Sequence, residues 1–579
     1  MKKKFSCILA GVLALASIFS AGCQGHQHVF DLKSTEDEYL KSAATCSDKA
    51  KYYYHCECGE KGEESFSVGN TIPHDYSAEV VSAEYLRNPA TCQTGAEYAI
   101  SCTMCGKSSY KTFFSDERED CLFDKEIADA MYLKEEATFT SAAIYYKSCV
   151  CGNAGEDTFT FGEPLRVYSE EEKVPYTPIS LTMSLYDAES GTYGFTYHTD
   201  AQPLRPVLQI AKGTTFTDYQ EVGGTVELAS SCADNDTLIN YYVVKVEVPL
   251  EANETYTYRV YDKYVDIGTE PTTMQTKDVT ASQFSFVHMG DSQMASGSGA
   301  LMASVLNQIV GSTDFVIHTG DFVENSKYES QWTGMLHANF SYFSKIPVMS
   351  ISGNHETTYL NGSNETYEHF HYKMPQQSDT KLGFYYSFTY GNAKFIMLNT
   401  NRLNGTKLTD DQYQWLVNEL KDNTATWTIV AMHNPIYSAG VYGSNPDRNS
   451  IALGLRAQLQ PIFAKYGVDI VLQGHDHLIS KTNPLNSAGV AAAETMETVD
   501  GISYSIDPSG VFYVMSGPAG EQTRSPYAQD TEVYDYALSS KACSYSEISI
   551  DGNRLVFASK YVENGTVTNY KQWGIVKAS

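Results

Sequence analysis

Short apolar runs that stop at polar clusters recur through the second half of the chain. Phe284 to Met289 precedes Gly290-Asp291, Phe315 to Thr319 precedes Gly320-Asp321, and Val348 to Ser352 precedes Gly353-Asn354-His355-Glu356. Trp427 to Met432 then precedes His433, and Val468 to Gln473 precedes Gly474-His475-Asp476-His477. Buried strands whose ends feed loops are how α/β folds gather functional groups from distant sequence, and glycine before a polar residue lets the backbone turn sharply there. A helix is predicted from Thr409: Thr409 and Gln412 have capping-box spacing, with Leu408 and Tyr413 placed as a hydrophobic staple. Tyr413, Leu416, Val417 and Leu420 share one face of it.

Upstream, from about Pro175 to Thr276, the period shortens to two. Tyr242-Val243-Val244-Lys245-Val246-Glu247-Val248 and Thr255-Tyr256-Thr257-Tyr258-Arg259-Val260 alternate between turns, the pattern of an all-β sandwich. Further upstream the chain repeats itself. Tyr39 to Cys46, Tyr85 to Cys92 and Tyr132 to Phe139 are variants of one octapeptide, each followed by paired cysteines and a glycine: Cys56-x-Cys58-Gly59, Cys102-x-x-Cys105-Gly106 and Cys149-x-Cys151-Gly152. His28, His74 and Cys121 stand at one fixed distance before Cys46, Cys92 and Phe139. Units one and two thus each carry one His and three Cys, the ligand count of a tetrahedral structural zinc site, and the third lacks one ligand at Phe139. Disulfides are the equal alternative, favoured by export and disfavoured by three cysteines per unit. Either way such small units need a staple, and they read as a stalk or as a surface that contacts a cell or glycan partner.

The N-terminus supports export. Lys2, Lys3 and Lys4 precede an apolar run from Ile8 to Phe19, too short to span a bilayer, and Ser20-Ala21-Gly22-Cys23 resembles a bacterial lipobox in which Cys23 is lipidated. The expectation is an extracytoplasmic chain, lipid-anchored to the bacterial cell membrane or secreted, with no later membrane span. At 579 residues the chain exceeds one hydrophobic core, and a formal net charge of −29 argues against general nucleic-acid binding.

Carboxylates suit hard cations, imidazoles suit transition metals, and an anionic carboxylate can bridge two cations that would otherwise repel. Two neighbouring metals clamp a phosphoryl group and lower the pKa of bound water. The order Gly-Asp, Gly-Asp, Gly-Asn-His-Glu, His, Gly-His-x-His resembles the calcineurin-like metallophosphoesterases, and with the preceding sandwich it is most similar to the purple acid phosphatases. The resemblance runs from about Pro175 to the C-terminus. It implies that Asp291, Asp321 and His477 bind a first metal, that Asp321 bridges to a second completed by Asn354, His433 and His475, and that His355 stabilises the phosphoryl transition state or protonates the leaving oxygen. His288 and His318 are read as core or supporting histidines.

The implied architecture is multi-domain: a lipoprotein signal peptide over 1–22, three Cys/His-rich repeats over 23–165, an all-β fibronectin-III-like sandwich over 170–278, and an α/β four-layer metallophosphoesterase sandwich over 281–579. Val511 to Gly517 reads as another strand of that sandwich, and the tail is expected to finish its second sheet. The implied activity is hydrolysis of small phosphate monoesters, a metal-bound hydroxide attacking phosphorus while His355 assists. A phosphodiesterase or nucleotidase, and a surface-binding protein with a secondary phosphoesterase domain, are the alternatives. Two departures qualify the likeness. Glu324 stands where purple acid phosphatases carry an iron-binding tyrosine, and Gln293, two residues after Asp291, could give an amide oxygen to the first metal or hold a water. The two cations, divalent or mixed-valence, are therefore left open among Fe, Mn and Zn.

Overall fold

The computed structural model describes residues 28–578 apart from 93, 119, 295–298, 358–364, 376–383 and 528–529. The export signal and Cys23 lie outside the described residues. Contacts divide the chain into two compact units, Met1–Cys121 and Leu122–Ser579, so the repeat segment expected over 23–165 is split after its second copy.

Among its described residues the first unit forms two small antiparallel sheets. Ala50–His55 pairs with Leu40–Ser42 and Lys61–Val68, while Glu97–Cys102 pairs with Tyr76–Ala78, Leu86–Asn88 and Ser108–Phe114. The recurring Tyr and Gly meet within their own repeat, where Tyr85 Oη donates to the Gly106 carbonyl at 2.9 Å and pins the cysteine turn. Gly106 itself adopts φ +71, the left-handed region in which a Cβ is unfavourable.

In the second unit the third repeat forms a sheet of Leu133–Glu135, Ala143–Ser148 and Ala154–Phe161, and Tyr132 Oη again donates to a glycine carbonyl, that of Gly152, at 2.9 Å. This sheet packs through Tyr132, Ala137 and Tyr145 against Tyr264 of the following sandwich, where Glu136 also pairs with Arg205 and Lys263. The sandwich has two antiparallel sheets. Ile179–Asp187, Thr192–Thr199, Leu238–Pro249 and Thr225–Cys232 make one; Gln220–Gly223, Pro206–Lys212, Thr255–Asp262, Ile267–Gly268 and Thr272–Gln275 make the other. Phe195 and Tyr258 meet edge to face between them, 4.9 Å apart.

Beyond it lie two large mixed sheets. The first runs Val348–Ser350, Phe315–His318, Gln283–Met289, Ser544–Asp551, Arg554–Glu563, Thr566–Val576, Ile502–Ile506, Thr495–Val499. The second runs Tyr386–Tyr390, Ala393–Met397, Trp427–Met432, Ile470–Gln473, Phe512–Ser516, Ile479–Thr482, Tyr534–Leu538. Their inner faces meet through Phe286, Phe315 and Phe395, with ring centroids 5.2–5.4 Å apart. Helix Ala300–Ile309 buries Met302, Val305, Leu306 and Ile309 in the same core as the first sheet. Asp410–Lys421 and Ser450–Lys465 pack with Val430, Val471 and Tyr513 of the second. Two sheets flanked by helices are the four layers the sequence predicts, and all five predicted strands form. No helix among the described residues is long and apolar enough to cross a membrane.

Two local expectations are corrected. Thr409 is the N-cap of its helix but makes no side-chain cap bond, and Gln412, which would return the second bond of the box, is buried and instead bonds both backbone groups of Asn399, at 2.8 and 2.9 Å. The buried face accordingly shifts to Gln412, Trp415, Leu416 and Leu420, with Val417 at its edge. The long tail strands, Ser544–Asp551 to Thr566–Val576, join the sheet of Gln283–Met289 rather than the sheet that carries His433 and His475.

Candidate metal centre

All five strand ends deliver side chains to one place. Asp291 follows Gln283–Met289, Asp321 follows Phe315–His318, Asn354 and His355 follow Val348–Ser350, His433 follows Trp427–Met432, and His475 and His477 follow Ile470–Gln473. Asp291, Asp321, His475 and His477 hold φ between 51° and 72°, a region that costs a residue bearing a Cβ about 1–3 kcal/mol. That four charged or metal-capable residues carry this strain together marks a site whose surroundings over-determine it. Gly320 and Gly353 make the close approach possible, since a Cβ on Gly353 would collide with the Asp321 carboxylate and one on Gly320 with Gly353.

The ligand atoms fall into two overlapping groups. Asp291, Asp321 and His477 offer atoms within 4.8 Å of one another, as do Asp321, His433 and His475. His477 Nε2 is 3.3 Å from Asp291 Oδ1, and His433 Nε2 is 3.3 Å from Asp321 Oδ2, 3.2 Å from His475 Nδ1 and 3.0 Å from Asn354 Oδ1. Asp321 is common to both groups. Two of the imidazoles are oriented from behind: His433 Nδ1 donates to the Thr319 carbonyl at 2.8 Å and His477 Nδ1 to that of Gln522. Both thereby present an Nε2 lone pair to the centre, the tautomer a cation requires.

Charge matches this geometry. Burial pushes the Asp321 carboxyl up, but His433, His355 and His475 hold it well below the usual carboxylate range, and His477 does the same for Asp291. The wall carries one orphan: Gln293 Oε1 is buried with no hydrogen-bond partner among the described residues, while Gln293 Nε2 lies 3.4 Å from Asp321 Oδ2 and 3.5 Å from His477 Nε2. Oxygen and nitrogen of an amide exchange places by a half-turn, and that turn aims the oxygen at the first ligand group. A donor set of carboxylates, imidazoles and amide oxygens fits two hard or borderline cations.

His355 stands beside the ligands. Its Nδ1 donates to the Glu324 carbonyl at 2.5 Å, its Nε2 is 3.9 Å from Asp321 Oδ2, and its side chain is 24% exposed, whereas Asp321 and His433 are buried. Asn354, His355 and His475 therefore form the solvent-facing rim.

The pattern of the calcineurin-like phosphoesterases matches residues 284–478. These residues form a calcineurin-like phosphoesterase domain. The chain is similar to purple acid phosphatase 15 of Arabidopsis thaliana, 28% identical over 34% of each chain, and to purple acid phosphatase 23 of the same plant, 25% identical over 57% of this chain and 76% of that one. Among solved structures, the purple acid phosphatase PPD1 of yellow lupin (Lupinus luteus) seeds shares the fold with a TM-score of 0.59 at 18% identity, over 73% of this chain and 76% of that chain. The chain spans about a third of the length of the first curated relatives it matches.

Within the phosphoesterase domain, Glu324 belongs to neither ligand group: its carboxylate accepts from Gln522 Nε2 at 2.6 Å, so it braces the segment whose carbonyl orients His477. His288 and His318 are supporting histidines, as expected: burial holds both near 3, His288 bonds Ser516 and Thr319, and His318 bonds Ser292. Asp476, quoted only as part of a motif, accepts from Ser438 Oγ at 2.6 Å and from the backbone of Tyr442 and Gly443, anchoring that loop beside His475.

Glu356 has a function no spacing argument assigned. Fully buried, it accepts backbone N–H bonds from Gly353 and Asp321 at 2.7 Å and from Phe322 at 2.8 Å, joining the two loops that carry Asp321 and Asn354. Its place beside three motif residues in Gly353-Asn354-His355-Glu356 was the available signal. Glu356→Ala strands these buried donors and should lower stability by about 3 kcal/mol, read as the urea midpoint of metal-stripped protein.

The cysteine ligands regroup. His28, Cys56 and Cys58 lie together in the first repeat, but Cys46 groups with His74, Cys102 and Cys105 of the second instead of with its own repeat. Cys92 and Cys121 are partly exposed in the first unit; in the second, Cys149 is buried and Cys151 partly exposed in the turn closed by Gly152.

Proposed function

We propose that this chain hydrolyses phosphate monoesters at a two-cation centre, one cation held by Asp291, Asp321, His477 and the Gln293 oxygen, the other by Asp321, Asn354, His433 and His475. The observation that carries the reading is that Asp321 belongs to both ligand groups. When bound, the cations supply the charge that neutralises phosphoryl oxygens and a water acidic enough to act as nucleophile near neutral pH. The protein's own part is orientation. Thr319 and Gln522 fix the imidazoles, Glu356 locks the two ligand loops together, and the Glu324 carbonyl holds the His355 Nδ1 proton so that Nε2 faces the rim. There His355 can give a proton to the departing alcohol.

The monoester preference rests on relatives that carry the name acid phosphatase. The preceding sandwich is read as the fibronectin-III-like domain, and the mature chain as extracytoplasmic and tethered through Cys23, with the repeats as its stalk. Dialysis against a chelator should abolish p-nitrophenyl phosphate turnover, and Mn, Fe or Zn added singly should restore it. Turnover that survives complete metal removal overturns the reading.

A further inference from the structure

The first unit, Met1–Cys121, holds a second concentration of ligands, of softer chemistry than the phosphoesterase centre and without a role in it. Sγ of Cys46, Cys102 and Cys105 and a ring nitrogen of His74 all lie within 4.8 Å of one another. Cys46 Sγ is 3.7 Å from Cys102 Sγ, and Cys105 Sγ is 3.4 Å from His74 Nδ1. A disulfide would hold its sulfurs ~2.05 Å apart. Tetrahedral zinc, with Zn–S of about 2.3 Å and Zn–N of about 2.05 Å, places neighbouring ligands ~3.8 Å apart for two sulfurs and ~3.5 Å for sulfur and nitrogen. The two separations, 3.7 and 3.4 Å, match two edges of such a tetrahedron.

The backbone is shaped for the same occupant. The Gly106 N–H donates to the Cys102 carbonyl at 2.9 Å with Gly106 at φ +71, closing the Cys102-x-x-Cys105 turn so that both thiols point one way. Cys46 rides on a turn of the preceding repeat in which Thr45 Oγ1 accepts from Asp48 N at 2.9 Å, and the Thr45 carbonyl accepts from Ile72 N at 3.0 Å, two residues before His74. Cys46 and Cys102 are buried, and neither small sheet has a core that would hold it alone.

We propose that the first two repeats are stapled end to end by a zinc-type divalent cation, to which the first repeat contributes Cys46 and the second contributes His74, Cys102 and Cys105. In this scheme the first repeat spends its opening His and paired cysteines on itself and hands its remaining cysteine to the second. His28 fits, grouping with Cys56 and Cys58 at 3.3 Å from each and leaving Cys46 to the next repeat. So does Phe139, which stands where Cys46 and Cys92 stand in their repeats and is 71% exposed: no fourth repeat follows to receive a ligand.

The test uses the full mature protein, loaded with cobalt or zinc. Neither ligand group of the phosphoesterase centre includes a cysteine among the described residues, so thiolate-to-cobalt charge-transfer absorption reports the repeats. Cys46→Ser and Cys105→Ser should each lower bound zinc by one equivalent with loss of cobalt–thiolate absorption, and the double variant should lose the same single equivalent, with phosphate-ester turnover unchanged throughout. Loss of two equivalents in the double variant, or unaltered zinc in Cys46→Ser, overturns the shared site. A measurement without substitution guards against misfolding: as phenanthroline is titrated into the unmodified protein, Cys46, Cys102 and Cys105 should become open to alkylation together. Alkylation of Cys46 independently of the other two, or its recovery in a disulfide, also overturns the proposal.

Discussion

Asp321→Asn should lower kcat/KM toward p-nitrophenyl phosphate by at least about 10³-fold, since in the proposed centre several kcal/mol of transition-state charge stabilisation would depend on cations that share this carboxylate. Asparagine keeps an oxygen where Asp321 Oδ1 accepts the His355 N–H at 3.0 Å, so the loop survives, but it removes the negative charge that both ligand groups share. Metal content should fall in parallel. Full activity in this variant contradicts the assignment of Asp321 as the bridge.

His355→Ala should lower kcat by about 10²–10⁴-fold while metal content stays unchanged, because His355 belongs to neither ligand group. The loss should be larger for an alkyl phosphate than for p-nitrophenyl phosphate, whose leaving group departs readily without a proton. A variant that loses its metals, or one whose kcat is unaltered on both esters, contradicts the role given to His355.

That the candidate ligands converge was legible in the sequence for a physical reason. Each candidate ligand sits within a few residues of the end of a buried strand, in most cases after a glycine, so an apolar run and a polar residue stand close in the chain, and the run Trp427–Met432 matches its strand residue for residue and ends directly before His433. What escaped was chemistry that acts across the chain. Gln412 has the spacing of a cap, but Asn399, 13 positions away, offered it a buried partner that a terminal N–H could not match. Glu356 looks like the tail of a motif until the N–H groups of Asp321 and Phe322 are seen converging on it. The cysteines invited grouping by repeat because ligand counting treats each repeat as closed; only the packing of one repeat against the next takes Cys46 to His74. The tail alternates like any edge hairpin, and nothing local to it specifies which sheet it completes.

The central claim is tested most directly by hydrolysis of p-nitrophenyl phosphate and bis(p-nitrophenyl) phosphate by the mature protein after reconstitution with Mn, Fe or Zn in separate samples. Metal-dependent turnover with a marked monoester preference is the predicted result. No turnover of either ester with any of the three metals would contradict the account, and a preference for the diester would contradict its assignment of substrate.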